Sequence, residues 1–369
     1  MNFPAKPINL FEYESQAKQH LSEMAWDYYA SGAWDRVTLR ENRLAFERFK
    51  LRPRVLVDVS QRDLSTTILG QFLQMPILVA PMAFQCLAHQ QGEVATASAA
   101  ANLGVAMVLS TLATKSIEEV AAVREQGNNS PQWFQLYIHR DRGLTRALVE
   151  RAYASGVTAL CLTVDAPLLG KREQDTRNCF ALPAGMELAN LVNLKDLEIP
   201  RKFGESGLFA YFAEQLDPGI TWKDVEWLQT IAPLPVVVKG ILRPDDAWRA
   251  VEHGAKAIVV SNHGGRQLDG AIATIDALSE VVAAVEDKAQ VLVDGGIRRG
   301  TDILKALALG AKAVLVGRPV LWGLAVAGSA GVQHVLEILQ DELSLAMALS
   351  GCAKLADIDR SLVVSPMKV

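Results

Sequence analysis

Cysteine is scarce in this 369-residue chain, and its four copies, Cys86, Cys161, Cys179 and Cys352, lie far apart. No two form a CxxC pair and none stands at zinc-ligand spacing from a histidine, so the thiols read as reduced and no metal site is expected. Positive charge is no more abundant: 37 Lys and Arg against 41 Asp and Glu leave a formal charge of −4, which gives no field for gripping nucleic acid. Also missing are a basic region with an apolar stretch at the amino terminus, an apolar run long enough to span a membrane, an SKL-type ending and any low-complexity segment. These absences point to a cytoplasmic protein of small-molecule chemistry, with neither nucleic acid nor membrane as partner.

What the chain does have is apolar runs of strand length, rich in Val, Ile and Leu and closed by polar or glycine-containing turns. They read "ILVAPMA", "AMVLST", "QWFQLY", "ALCLTVD", "PVVVKG", "AIVVSNHGG", "VLVDGG" and "AVLVGRP". Between most of them lie segments with apolar residues at helical spacing, such as "LTRALVERAYASG" and "PDDAWRAVEHGAK". Strands this apolar suit a parallel sheet covered on the outside, and eight β-then-α units predict an α/β fold of the TIM (β/α)8 type. The expectation is one domain over 1–369: an N-terminal helical extension over 1–75, a barrel over 76–325 and C-terminal helices over 326–369. The fourth and fifth strands are separated by a longer segment, 166–234, whose middle predicts a lid insertion over about 180–215.

In barrels of this kind the reacting groups sit where strands end in their carboxyl-side loops. Those ends carry Met82 and Ala83, Ser110, Gln135 and Tyr137, Thr163 and Asp165, Lys239, His263 and Arg266, Asp294 with Gly295 and Gly296, and Gly317 with Arg318. The loops "DGGIRRGTD" and "VGRP" follow the seventh and eighth strands, where such barrels bind phosphate, and Arg298 and Arg318 add positive charge there. Ser110, Gln135 and Thr163 suit the edge of a planar heterocycle, beside which Lys239 would stabilise developing negative charge. Phosphate, ring edge and cation together indicate FMN; the alternative for Lys239 is an ion pair with a neighbouring acid. His263 is the candidate base, with Asp165 to orient it. Arg266 and Arg172 are candidates for a substrate carboxylate, and the glycines after His263 are expected to leave room for substrate. His139 is the rival base, without an evident acidic partner.

Together these residues resemble the FMN-dependent α-hydroxy-acid oxidases, the group of glycolate oxidase and lactate oxidase. The likeness runs from "DYYASGAWDRVTLREN" through "LTVDAPLLGKRE" and "SNHGGRQLD" to "LSGC" near residue 350. It implies His263 as base and Asp165 as its partner, Tyr28, Arg172 and Arg266 on the substrate carboxylate, and Tyr137 on the α-hydroxyl. It implies Met82, Ala83, Ser110, Gln135, Thr163, Lys239 and Ser261 around the flavin, with Asp294, Gly296, Arg298, Gly317 and Arg318 on ribitol and phosphate. A homo-oligomer, tetramer or octamer, is implied as well.

The expected reaction is oxidation of an L-2-hydroxy acid to the 2-keto acid, with O2 reduced to hydrogen peroxide. Glycolate-oxidising members of the group usually carry tryptophan where this chain has Leu112, which favours L-lactate; Met82, Leu168 and Phe212 are expected to shape the same pocket. Ordinary packing is the alternative for Leu112 and Phe212. Glycolate as substrate, a non-oxygen acceptor, another phosphate-binding barrel enzyme and a flavin-binding protein without catalysis stay open as further readings.

Overall fold

Eight strands of three to six residues, almost every position buried, set the architecture. The computed structural model describes residues 6–123, 130–191 and 214–364. The strands are β1 (Ile77–Val79), β2 (Met107–Leu109), β3 (Gln132–Leu136), β4 (Ala159–Thr163), β5 (Val236–Ile241), β6 (Ala257–Val260), β7 (Gln290–Asp294) and β8 (Ala313–Val316). Each pairs in parallel with the next, and β8 returns to β1 in the register Val314–Ile77, Leu315–Leu78, Val316–Val79, so the sheet closes into the expected (β/α)8 barrel.

Successive side chains of a strand point to opposite faces, so the register assigns every position to the interior or the outside. Val79, Leu109, Phe134, Leu162, Val238, Val260 and Val293 pack outward against the helices. Leu78, Val108, Trp133, Cys161, Val237, Val259, Leu292 and Leu315 fill the interior as a separate apolar cluster. Its lower end is stoppered by the hairpin Thr66–Ile68/Gln71–Leu73, through Ile68, Leu73 and the indole N–H of Trp133, which donates to Gln71 Oε1 at 3.0 Å. Two residues further along each strand the interior-facing positions are Ala80, Ser110, Gln135, Thr163, Lys239, Ser261, Asp294 and Gly317. The same alternation that dries the middle of the barrel thus places a polar layer at its carboxyl end.

Three helices precede the barrel: α1 (Leu10–His20), α2 (Glu23–Ala30) and α3 (Val37–Arg48). Those around it are α4 (Gly92–Asn102), α5 (Ile117–Ala121), α6 (Arg142–Ala154), α7 (Glu173–Arg177), α8 (Trp222–Gln229), α9 (Pro244–Glu252), α10 (Thr274–Val285), α11 (Gly300–Ala308) and α12 (Arg318–Leu349). Their starts follow ordinary capping chemistry: the side chains of Asn9, Ser22 and Asp141 accept backbone N–H groups of α1, α2 and α6, and α9 opens on proline. The centre of the expected lid, 192–213, lies outside the described residues, and Phe212 with it.

By length and composition alone α12 could cross a membrane, although glycines and polar residues keep it from reading as one apolar run. Its backbone and packing account for the length. Helical geometry breaks at Ala327 and Gly328, and 61% of the apolar window is buried, with α12 packed on α1, α4 and α11.

Candidate active site

The carboxyl end of the barrel opens into a cavity lined by the polar layer, the loops above it and two tyrosines of α2. A connected row crosses its floor. Gln135 Nε2 donates to Thr163 Oγ1 at 3.1 Å, while Gln135 Oε1 accepts from Ser110 Oγ at 3.3 Å and from the Thr111 N–H at 3.2 Å. On the other side Lys239 Nζ donates to Ser261 Oγ at 2.9 Å and pairs with Asp294 Oδ2 at 3.1 Å. Lys239 therefore does form the ion pair weighed as its alternative, and it does so at the cavity wall. Burial opposes its charge, but Asp294 and Asp165 outweigh burial and raise its pKa.

Above this row stands His263, whose Nδ1 lies 2.8 Å from Asp165 Oδ1. Burial is the largest influence on the imidazole and holds it below its ordinary value, against the pull of the carboxylate; Lys239 and Arg172 add to the lowering. For Asp165 burial acts upward, yet His263 and Lys239 together keep its pKa low. The pair is therefore a neutral imidazole on an ionised carboxylate at neutral pH. Gly240 makes room for it. A Cβ there would come within 2.6 Å of Asp165 Cβ, and the backbone sits at φ +114°, where a side chain is strained.

The cavity holds a surplus of cations, Arg172 and Lys239 buried and Arg266, Arg298 and Arg318 half-buried. Arg266 Nη1 donates to the carbonyls of Tyr28 at 2.6 Å and Ser31 at 3.3 Å, and its guanidinium lies 4.8 Å from the centre of the Tyr28 ring. Arg318 donates to the carbonyls of Tyr29 at 2.8 Å, Ser31 at 2.8 Å and Gly264 at 3.0 Å. Most of these carbonyls belong to the last turn of α2 and its cap, so the negative end of that helix faces the two arginines. Arg298 Nη1 donates to the carbonyl of Ile297 at 2.9 Å. Among the described residues none of the three pairs with a carboxylate. Burial consequently depresses Arg298 and pushes Arg318 well below the usual guanidinium value, the neighbouring arginines adding to it. Arg172 is lowered to about 10 by burial and by Arg266. Among the described residues its acidic neighbour is Asp175, 3.7 Å away.

Unpaired guanidiniums at this depth fit a bound phosphate and a second small anion. Asp294 Oδ1, buried and without a hydrogen-bond partner among the described residues, fits a hydroxyl donor such as ribitol offers. The Ser110–Gln135–Thr163 row fits a ring edge. On these grounds the cavity suits FMN, with Arg298, Arg318 and Gly317 at its phosphate end.

The structure brings nearly all of the expected residues together. Tyr28, Met82, Ala83, Ser110, Leu112, Gln135, Tyr137, Thr163, Arg172, Lys239, His263, Arg266, Asp294, Gly296, Arg298, Gly317 and Arg318 line the cavity. Asp165 and Ser261 stand behind His263 and Lys239. Tyr137 is buried and its phenol pKa is raised, by burial first and by Asp165 second.

Some readings need correction. Leu168 is 62% exposed and outside the cavity. Of the glycines after His263, Gly264 lines the cavity as expected, whereas Gly265 serves the backbone: His263, Gly264 and Gly265 all have positive φ (58°, 64° and 74°), and a Cβ on Gly265 would meet the Leu39 backbone N of α3 at 2.6 Å. His139 is fully buried away from the cavity, and burial lowers its imidazole to about 4. Tyr29, Ile297 and Leu321 line the cavity without having been anticipated, Tyr29 donating to the Phe84 carbonyl at 2.6 Å. The "YY" of "DYYASG" was the one available sign of Tyr29.

Comparison with known proteins agrees with this geometry. The chain is 70% identical to an L-lactate oxidase of a Nostoc species over 357 residues, covering 97% of this chain and 98% of that one. It is 53% identical to human 2-hydroxyacid oxidase 1, with 96% of each covered, and 53% identical to glycolate oxidase 1 of Zea mays, with 97% and 95% covered. The structure of a mandelate oxidase with (S)-4-hydroxymandelic acid superposes with a TM-score of 0.92 at 44% identity, over 97% of this chain and 98% of that one. A family model described as FMN-dependent dehydrogenase matches residues 17–365, which take in the barrel, the His263–Asp165 pair and the arginine-rich mouth; this chain belongs to that family.

Proposed function

We propose that the protein oxidises L-lactate to pyruvate, passing the electron pair through FMN to O2 to give hydrogen peroxide. The observation that carries this reading is the His263–Asp165 pair: Asp165 holds one ring nitrogen, and His263 lines a cavity that also holds Arg172 and Arg266 beside a polar, cation-backed wall. Arg172 and Arg266 would take the substrate carboxylate. Tyr137 would take the α-oxygen, as a donor that stays protonated across the working pH range. His263, neutral at the start, accepts one proton, and Asp165 stabilises the imidazolium that results. FMN, when bound, supplies the two-electron acceptor. Lys239 and the Ser110–Gln135–Thr163 row would hold its ring, and Arg298 and Arg318 its phosphate. Leu112 in the cavity wall, together with the likeness to an L-lactate oxidase, supports lactate over glycolate. A homo-oligomer belongs to the same proposal, checked by sedimentation.

The test is anaerobic flavin bleaching by L-lactate, D-lactate and glycolate, followed by oxygen uptake with the same acids. L-lactate is expected to bleach fastest, glycolate more slowly and D-lactate not at all. His263→Ala should keep its FMN and lose bleaching. A protein bleached by none of the acids sinks the proposal, and one bleached faster by glycolate replaces the substrate.

A further inference from the structure

Asp175, three residues beyond Arg172 on α7, is a buried carboxylate with only 3% exposure, and neither of its oxygens has a hydrogen-bond partner among the described residues. Its Oδ2 lies 3.7 Å from Arg172 Nη1, too far for a hydrogen bond, and both side chains are only 4% exposed. Buried carboxylates are ordinarily fixed by several donors, because bare lone pairs in a dry site are costly. Burial raises its pKa above the usual aspartate value and Asp27 adds to the rise, while Arg266 and Arg172 oppose it and favour the carboxylate. Asp27 is itself held by Asn178, whose Nδ2 donates to it at 2.9 Å and joins α2 to the end of α7. Two guanidiniums and one loosely held carboxylate thus share a place that, on the reading above, admits one more carboxylate.

We propose that Asp175 is a positioning residue of the carboxylate subsite. It acts as an internal counter-ion that faces Arg172 until substrate arrives, and so sets how tightly the 2-hydroxy acid is held and how readily the keto acid leaves. The inference rests on Arg172 and Arg266 binding the substrate carboxylate. With Asp175 ionised the pair of arginines carries one net positive charge before binding and none after. Because the contact with Asp175 is loose, Arg172 can turn its Nη donors to the incoming anion while its Nε–H stays on the Arg266 carbonyl at 3.5 Å. Removing that negative charge leaves the subsite doubly positive. A unit charge roughly 6 Å from the bound carboxylate, at an effective dielectric of about 20, corresponds to up to roughly a hundredfold in affinity, and about fivefold is the least expected after screening.

The test titrates the FMN-loaded protein with propionate, a carboxylate without the α-hydroxyl, followed by flavin absorbance. Asp175→Asn is expected to tighten propionate at least about fivefold and to lower KM for the 2-hydroxy acid by a similar factor, with the rate of flavin reduction at saturation changed less than about twofold. Asp175→Glu, one methylene longer, brings the carboxylate onto Arg172 and is expected to weaken propionate. A purely structural role would not give opposite signs for the two variants. Unchanged or weaker propionate binding in Asp175→Asn overturns the proposal, as does equal or tighter binding in Asp175→Glu, which decides the matter if the first variant does not hold FMN. Arg172→Met separates the two levels. If it leaves propionate binding unchanged, the carboxylate subsite itself is wrong; if it weakens binding while the Asp175 variants behave otherwise than expected, only the role of Asp175 falls.

Discussion

Replacing Asp165 by asparagine removes a charge while keeping the shape of the side chain, so it isolates what the carboxylate does for His263. The two side chains meet at 2.8 Å and are 20% and 13% exposed, a mostly desolvated pair that still feels some solvent. Truncating one partner of a buried charge pair costs about 2–5 kcal/mol, and the residual exposure places this one in the lower half of that range. About 2–3 kcal/mol corresponds to a loss of roughly 30- to 150-fold in kcat/KM, since the imidazolium formed during the reaction loses its counter-ion. The pH profile should change as well. His263 must be neutral to act, so activity is present above its pKa and is lost as pH falls through it, and in the parent that acid limb lies below the ordinary imidazole value of 6.5. Asp165 raises the imidazole pKa, so its removal should move the limb to still lower pH while the plateau drops. Steady-state kcat/KM for L-lactate across pH, with FMN content checked by absorbance, measures both. A plateau within about tenfold of the parent, or an acid limb that stays put or moves up, would refute the assignment of Asp165 as the partner that stabilises the charged imidazole.

Leu112→Trp should lower the ratio of L-lactate to glycolate efficiency by about 10- to 100-fold, the range that one methyl-sized space is worth; side-by-side steady-state kinetics read it, and an unchanged ratio removes Leu112 as discriminator. Arg318→Met deletes a half-buried cation that, among the described residues, carbonyl dipoles alone accompany, so the difference in Tm between FMN-loaded and FMN-free protein should shrink. A gap equal to the parent's would show that Arg318 does not hold the cofactor. Gly240→Ala puts a methyl 2.6 Å from Asp165 Cβ at φ +114°, and should cost about 2–5 kcal/mol in denaturant unfolding and shift the acid limb of the pH profile through the displaced Asp165. Unfolding within about 0.5 kcal/mol of the parent would mean that the backbone relaxes away from the clash.

The difference between what could be read from the chain and what could not follows from the range of the forces involved. Ser110, Gln135, Thr163, Lys239 and Asp294 were readable because period-two alternation is local: once a run is a barrel strand, its last inward residue is fixed; His263, beyond the end of its strand and at positive φ, was readable by the carboxyl-end rule alone. Tyr28 came through family resemblance alone, because what puts it in the cavity is the docking of α2 and α3 onto loops more than 200 residues away. Gly265 permits that docking by lacking a Cβ against Leu39, which is why a glycine that looks like substrate space is in truth an interface between extension and barrel. Gly240 escaped notice for the same reason, since its neighbour in space, Asp165, is 75 residues earlier in the chain. The end of α2 near Gly32 is itself visible in "YYASG", yet nothing local says that the carbonyls freed there must satisfy Arg266 and Arg318. It follows that the amino-terminal extension is part of the site electrostatically as well as sterically: the negative end of α2 accompanies two half-buried guanidiniums that pair with no carboxylate among the described residues, and so leaves their charge for the anions the cavity is built to take.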